Sequence, residues 1–163
     1  MLAKSEHLEA FQYIFDQVDE KNPMDTYGLT PLDNSVIHQQ FNISKFIINK
    51  MEDKNPKVND GPGADTLLHK SAFYGNLEIH EYVMDLVQEK TPKNQDGNTP
   101  LQYAALKGKS AIIKLILEKV YEKNPKNNDC QTPFDLALDR DKKIMYEAML
   151  AKITSLEFDR RSM

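Results

Sequence analysis

Cysteine is almost absent from this sequence, since Cys130 is the only one among 163 residues. One thiol excludes a disulfide framework and any zinc site built from several cysteines. No apolar run approaches the roughly 18 residues that cross a bilayer. The N-terminal stretch MLAKSEHLEAFQYIF carries charges where a signal peptide has an unbroken apolar core. The sequence therefore predicts a cytoplasmic protein without membrane insertion, with the nucleus as the alternative compartment.

Glycine, proline and an excess of positive charge are also scarce. The chain has 6 Gly, 8 Pro, 40% hydrophobic and 28% charged residues. It is too apolar for a disordered chain and too poor in Gly and Pro for a fibrous one. Lys and Arg total 21 against 25 for Asp and Glu, which gives a formal net charge of -4. Proteins that neutralise phosphates are normally basic, so we expect no nucleic-acid partner.

What the sequence does contain is an internal repeat. A threonine recurs at steps of 36, 33 and 33 residues, at positions 30, 66, 99 and 132, and Pro follows it in three of the four cases. A second series, of prolines at 23, 56, 92 and 125, has steps of 33, 36 and 33. The two series together place three extra residues between Pro56 and Thr66, around 61–63. Such a period predicts a short array of repeated units within one domain.

Apolar residues occupy the same five positions in each of the four copies. Counted from the threonine, these are positions +2, +6, +13, +17 and +21. Five columns that are apolar in every copy support the alignment of the copies. The columns are, in order, Leu32, Leu68, Leu101 and Phe134; Val36, Ala72, Ala105 and Leu138; Ile43, Ile79, Ile112 and Met145; Ile47, Val83, Ile116 and Met149; Met51, Val87, Val120 and Ile153.

Each copy is predicted to form a turn, a short helix, a tight turn and a longer helix. Thr is a good N-cap residue because its hydroxyl accepts a hydrogen bond from an otherwise unpaired backbone N–H. Pro suits the first helical position. Gly75 and Gly108 lie nine residues after the threonine, where a left-handed residue ends the first helix. Ile112, Leu115 and Ile116 have the spacing of a second helix.

The segment GNTPLQYAALKGKSAIIKLILEKV resembles an ankyrin repeat, and so do GLTPLDNSV, ADTLLHKSAFYGNLEI and CQTPFDLAL. The 33-residue period and the Thr-Pro-Leu start are the marks of that family. The resemblance covers about residues 22–157. It implies an all-α ankyrin-repeat solenoid of stacked helix-turn-helix units with short hairpin-like turn tips. The implied parts are an N-terminal capping helix (half-repeat) at 1–21, repeats at 22–54, 55–90, 91–123 and 124–157, and a polar tail at 158–163.

The sequence departs from the family pattern at several positions. The usual His after Thr-Pro-Leu survives only as His69, which we expect to hydrogen-bond the local backbone, as its equivalent in the family does. Gln39 and Asp141 replace the turn glycine in the first and last copies, where we expect strained or rebuilt turns. The residues that replace the family histidine are Asp33, Gln102 and Asp135.

By resemblance to ankyrin repeats, turn tips and first helices form a concave surface that binds another protein. Large apolar side chains are typical anchors there because they bury much area with few rotatable bonds. The alternative is that several of them pack against their neighbours within the array. The candidate contacts are Tyr27, Leu29, Ile37, His38, Asp65, Phe73, Tyr74, Gln95, Asp96, Asn98, Tyr103, Leu106, Lys107, Asp129, Gln131, Asp139 and Arg140.

Catalytic, cofactor and metal sites find little support in the sequence. The four histidines are scattered without the spacing of an HExxH motif, and His80, inside a long second helix, is expected to be exposed. GPGAD lacks the lysine of a phosphate-binding loop. We therefore expect a non-catalytic protein-protein interaction module, monomeric on its own, without cofactor or metal. The alternatives are a regulatory or targeting segment of a larger multidomain protein and a small free-standing ankyrin inhibitor that masks a partner surface.

Overall fold

The computed structural model describes residues 2–19, 23–57, 65–137, 142, 143 and 147 of the chain, with side chains from residue 7 onward. Some of the sequence predictions fall outside these residues and are not addressed by the structure. They are the insertion at 61–63, the candidate contacts Asp139 and Arg140, the turn residue Asp141, the fourth-copy column residues Leu138, Met145, Met149 and Ile153, and the tail at 158–163.

The described residues form helices that stack in two rows. The helices are α1 (Leu2–Gln17), α2 (Pro31–Ile37), α3 (Phe41–Lys50), α4 (Leu67–Tyr74), α5 (Leu77–Leu86), α6 (Pro100–Leu106), α7 (Ser110–Lys119) and α8 (Pro133–Leu136). In the first-helix row, α2, α4, α6 and α8 pack side by side, and α1, α3, α5 and α7 form the second-helix row. The rows are joined where α2 packs on α3, α4 on α5 and α6 on α7. This is the all-α repeat fold that the sequence predicts.

Each first helix begins at a threonine, as the sequence predicts. Thr30, Thr66, Thr99 and Thr132 have extended backbones and are the N-cap residues. In α2 the Thr30 hydroxyl oxygen accepts from the Asp33 backbone N–H at 3.1 Å, and an Asp33 carboxylate oxygen accepts from the Thr30 N–H at 2.9 Å. The same reciprocal capping box begins α4, α6 and α8. The residues that replace the family histidine therefore keep its capping role.

The turn between the two helices of a copy uses a left-handed residue. Gly75 and Gly108 have φ values of 82° and 61°, a conformation that glycine adopts without steric cost. Gln39 takes the same conformation in the first copy, with φ of 56°. A side chain in this region strains the backbone. The expectation of a strained turn at Gln39 is thus confirmed.

The hydrophobic core lies between the two rows and continues from copy to copy. Side chains at +2, +6 and +17 are at most 1% exposed in the first three copies, whereas those at +21 lie one residue beyond the second helices and are half-buried. Full burial of a Leu, Ile or Val side chain contributes about 1.5–3 kcal/mol. The fully buried columns are Leu32, Leu68 and Leu101; Val36, Ala72 and Ala105; Ile47, Val83 and Ile116.

His80 is fully buried, so the prediction that it is exposed is wrong. Its Nδ1 lies 2.8 Å from the Ser71 hydroxyl oxygen, while its Nε2 is buried without a hydrogen-bond partner. The Ser71 hydroxyl donates to the Leu68 carbonyl at 3.1 Å, so it accepts from Nδ1–H of the imidazole. Burial lowers the pKa of His80 to about 3, and the ring is therefore neutral at physiological pH.

The positions equivalent to Ser71 and His80 hold other pairs of residues in the neighbouring copies. In the first copy the hydroxyl oxygens of Ser35 and Ser44 are 2.7 Å apart. In the third copy the two positions hold Ala104 and Ile113, both fully buried. Ser44, His80 and Ile113, the described side chains at +14, are therefore all buried, and the first two bond to the first helix of their own copy.

A lysine two residues before the proline closes the second helices α3, α5 and α7. The ammonium group of Lys54 donates to the Ile48 carbonyl oxygen at 2.9 Å, near the end of α3. Lys90 and Lys123 make the equivalent bonds to the backbone carbonyls of Met84 in α5 and Leu117 in α7. The last carbonyls of a helix carry partial negative charge, so a cation stabilises this position.

Candidate functional site

An Asp or Asn two residues after the proline organises three of the turn tips. The Asp25 carboxylate accepts from the backbone N–H groups of Tyr27 and Leu29 at 2.8 and 2.9 Å. Asn94 and Asn127 hold the backbone of their own tips in the same way. A short side chain that binds the backbone two to four residues ahead fixes a tight turn. The predicted contacts Tyr27 and Leu29 are thus presented from an ordered tip.

Side-chain amides connect successive tips. The Asn94 amide donates to an Asp65 carboxylate oxygen at 2.8 Å, and the Asn127 amide donates to the Asn98 side-chain oxygen at 2.9 Å. Asp65 and Asn98 are both candidate contacts from the sequence. In the structure their side chains take part in stacking one copy on the next.

The residue three positions after the threonine also reaches into the following copy. Nδ1 of His69 accepts from the Thr66 backbone N–H at 3.1 Å, so Nε2 carries the proton and donates to the Asn98 carbonyl at 2.9 Å. Burial lowers the pKa of His69 and keeps this tautomer neutral. Gln102 makes the equivalent bond to the Gln131 carbonyl, also at 2.9 Å. The expected bond from His69 to the local backbone is confirmed.

Asp33 cannot donate such a bond as a carboxylate, and the second copy supplies a cation instead. The Lys70 ammonium nitrogen lies 2.6 Å from an Asp33 carboxylate oxygen. The Asp33 side chain is 0% exposed and that of Lys70 is 11% exposed, so the pair is largely removed from water. Lys70 was not among the residues singled out from the sequence, because its pairing depends on how α2 and α4 pack.

Aromatic side chains of α4 and α6 form a contiguous group that we call the aromatic cluster: His69, Phe73, Tyr74 and Tyr103. Phe73 packs edge-on against Tyr74 and Tyr103, with ring centroids 5.1 and 5.9 Å apart. The ammonium nitrogen of Lys107 lies 4.3 Å from the Phe73 ring centroid. Such a cation over an aromatic face is attracted by the ring's quadrupole.

The hydroxyl of Tyr103 anchors the tip side of the cluster. It donates to an Asp65 carboxylate oxygen at 3.2 Å and accepts from the Asn94 amide at 3.2 Å. Burial, followed by the charge of Asp65, raises the pKa of Tyr103 to about 12. The hydroxyl is therefore protonated at neutral pH and acts as a structural donor.

Comparison with protein families identifies the fold. A family model described as ankyrin repeats, in three copies, matches residues 52–129 and 68–152, which together span more than half of the chain. The chain belongs to the ankyrin-repeat family. Ankyrin repeats generally mediate protein-protein interactions, and proteins built from them are typically non-catalytic. No curated protein matches the chain.

The family match and the sequence differ in the number of copies. The sequence predicts four copies and a half-repeat, and its first copy precedes most of the matched residues. The structure places α2 and α3 in that first stretch, where α2 has the same capping box and packs on α4. An ankyrin-type helix pair thus precedes the matched span.

The candidate contacts of this ankyrin array fall into two groups. The side chains of Asp65, Asn98 and Tyr103 form hydrogen bonds between copies, as expected if part of the candidate set packs within the array. Tyr27 and Leu106 are 86% and 48% exposed. The other candidates with accessible side chains are Leu29, Ile37, Phe73 and Tyr74, which are half-buried, and His38, Gln95, Asp96, Lys107, Asp129 and Gln131, which are exposed.

Among the residues that the structure describes, no three or more His, Cys, Asp or Glu side chains are arranged to hold a metal ion. None of the helices described in the chain has both the length and the apolar surface needed to span a membrane.

A polar groove of about 400 Å³ lies between the last two tips. Its lining residues are Thr91, Lys93, Thr99, Glu122, Asn124, Pro125 and Lys126.

Proposed function

We propose that this ankyrin array binds a partner protein through its concave face, formed by the turn tips and the first-helix row. The observation that carries the proposal is the accessible part of the aromatic cluster. Phe73 and Tyr74 are half-buried, the adjacent Leu106 is 48% exposed, and Lys107 is exposed above Phe73. Ordered aromatic and aliphatic groups of this kind are typical of interface anchors, since little conformational entropy is lost when they are covered.

The second-helix row differs from the concave face in its charged groups, and this difference supports the same assignment. There, Lys119 on α7 pairs with Asp85 at 2.6 Å and with Glu81 at 3.8 Å, so charges of neighbouring copies satisfy one another. A surface whose charged groups already pair between copies offers fewer open contacts to a partner.

The proposal is tested by quantitative capture from native lysate with the full chain as bait. We expect Phe73→Ala combined with Lys107→Glu to abolish capture of the proteins that the wild type retains, because the two residues form one contact unit. Lys114→Glu, an equal charge reversal at an exposed position of α7, is the matched control and should capture normally. Circular dichroism should show the same helicity in all variants. Undiminished capture by the double variant would refute the concave-face assignment.

A further inference from the structure

In the first three copies, the accessible edge at the carboxyl ends of the first helices carries basic side chains and no carboxylate. This helix-end edge is defined as residues 37–40, 73–76 and 106–109, which include no Asp or Glu. Its basic side chains are His38 and Lys107, both exposed, and Lys109, which is half-buried. A Cβ at Gly75 would lie 2.8 Å from Cδ of Lys109, so this lysine lies across the α4–α5 turn.

Apolar side chains separate these basic groups. Ile37, Phe73 and Tyr74 are half-buried, and Leu106 is 48% exposed. The ammonium nitrogen of the exposed Lys107 lies 4.3 Å from the Phe73 ring centroid, so its charge has a defined position on the edge. The carboxyl end of a helix carries about half a negative charge, which one lysine outweighs. The edge therefore combines an oriented positive charge with an accessible apolar surface.

We propose that the helix-end edge binds an extended acidic segment of the partner protein. In this complex an Asp or Glu carboxylate pairs with Lys107, and an adjacent large apolar side chain covers Leu106 and the rings of Phe73 and Tyr74. The inference rests on the proposed function and adds the chemistry of the partner to it. Charge complementarity favours this occupant, because the edge offers cations and no carboxylate to a bound chain.

A protein segment fits these observations better than a nucleic acid does. Binding to a phosphate backbone depends on neutralising several phosphates with several cations. Here the basic groups are few and separated by apolar side chains, and the whole chain has a net charge of -4. An apolar side chain next to a carboxylate matches both features of the edge at once.

The experiment uses the full chain to select from a phage-displayed library of random 12-residue peptides. We expect the enriched sequences to carry Asp or Glu within a few residues of Leu, Ile, Phe, Tyr or Trp. One enriched peptide, synthesised and titrated, should bind about tenfold more weakly to Lys107→Glu and more weakly still when Phe73→Leu is added. Phe73→Leu keeps an apolar side chain and protects the fold. Lys114→Glu should bind as the wild type does, and added salt should weaken binding.

The outcomes separate this inference from the proposed function. Enrichment of basic or uncharged peptides that still require Phe73 would overturn the acidic-segment inference and leave concave-face binding in place. Peptides that bind Lys107→Glu, and Lys107→Glu with Phe73→Leu added, as tightly as they bind the wild type would overturn both the inference and the proposed function. A library that yields no enriched peptide, or a polyuridylate probe that displaces the selected peptide, would overturn the acidic-segment inference.

Discussion

The Lys70 ammonium group and the Asp33 carboxylate, 2.6 Å apart, join the first two copies of the array through a buried ion pair. At the next two junctions, His69 and Gln102 instead donate to the backbone carbonyls of Asn98 and Gln131. Equivalent positions therefore connect neighbouring copies with different chemistry. Each junction has its own sensitivity to mutation and to pH.

Loss of the lysine from the first junction should be costly. We expect Lys70→Met to lower the free energy of unfolding by about 3–5 kcal/mol, because it leaves the Asp33 carboxylate buried without a counterion. Urea denaturation followed by circular dichroism measures the change. Asp33→Gln in the same background should restore much of the loss, since Gln can cap Thr30 and donate to the next copy as Gln102 does. A loss below about 1 kcal/mol in Lys70→Met would mean that water compensates the carboxylate.

The buried imidazole of His80 should reduce stability relative to an apolar side chain. Replacing Ser71 and His80 by Ala and Ile reproduces the Ala104–Ile113 pair of the third copy. We expect Ser71→Ala/His80→Ile to raise the free energy of unfolding by about 1–2 kcal/mol, because the unpaired Nε2 is removed. Thermal and urea unfolding report the gain. The reverse exchange, Ala104→Ser/Ile113→His, is the matched control and should destabilise; equal stabilities in all three chains would contradict the argument.

Acid should destabilise the fold through the same histidine. The pKa of His80 is lowered from 6.5 to about 3 by burial, so below pH 6.5 the unfolded chain binds a proton that the folded chain excludes. This contribution to stability is complete above pH 6.5 and is lost as the pH falls toward 3. At pH 4.5 the loss from His80 is about 2–3 kcal/mol. Urea unfolding of the wild type and of Ser71→Ala/His80→Ile between pH 4.5 and 7.5 should show a smaller slope in the variant, and identical slopes would exclude this origin.

Two side chains hold left-handed backbone conformations in which glycine is better tolerated. Gln39 and Cys130 have φ values of 56° and 61°. We expect Gln39→Gly and Cys130→Gly each to stabilise the fold by about 0.5–1 kcal/mol, since the relief of strain exceeds the added chain entropy of glycine. Gly97→Ala should do the opposite, because its Cβ would lie 2.5 Å from the Asn128 side-chain oxygen. Melting temperatures of the three variants test the sign of each effect.

The helices of this chain could be predicted because their signals are local. The threonine that caps α6, the proline after it and Gly108 at its end all act within a few residues. The burial of His80 does not follow from its place on a long helix when that helix is considered alone. Its column contains Ile113 in the third copy, and that comparison between copies was the available signal for a buried position.

The division of the candidate surface could not be predicted, because it depends on contacts between copies. Asp65 and Asn98 are polar tip residues in sequence, and only the stacking of the tips shows that the Asn94 and Asn127 amides bind them. The bond from Lys90 to the end of α5 could not be predicted either. The regular spacing of this lysine is visible in the sequence, but its bond depends on α5 ending at Leu86, four residues earlier.

The order of the units in this chain is fixed by their side chains as well as by their shape. If the second unit were transplanted behind the third, Lys70 would meet the amide of Gln102 in place of a carboxylate, and Asp33 would lose its counterion. Shuffling or duplicating whole units would therefore leave mismatched charges in the interior, even though the described first helices all begin with the same capping box. Any recombined version of this protein would need compensating substitutions at each new seam.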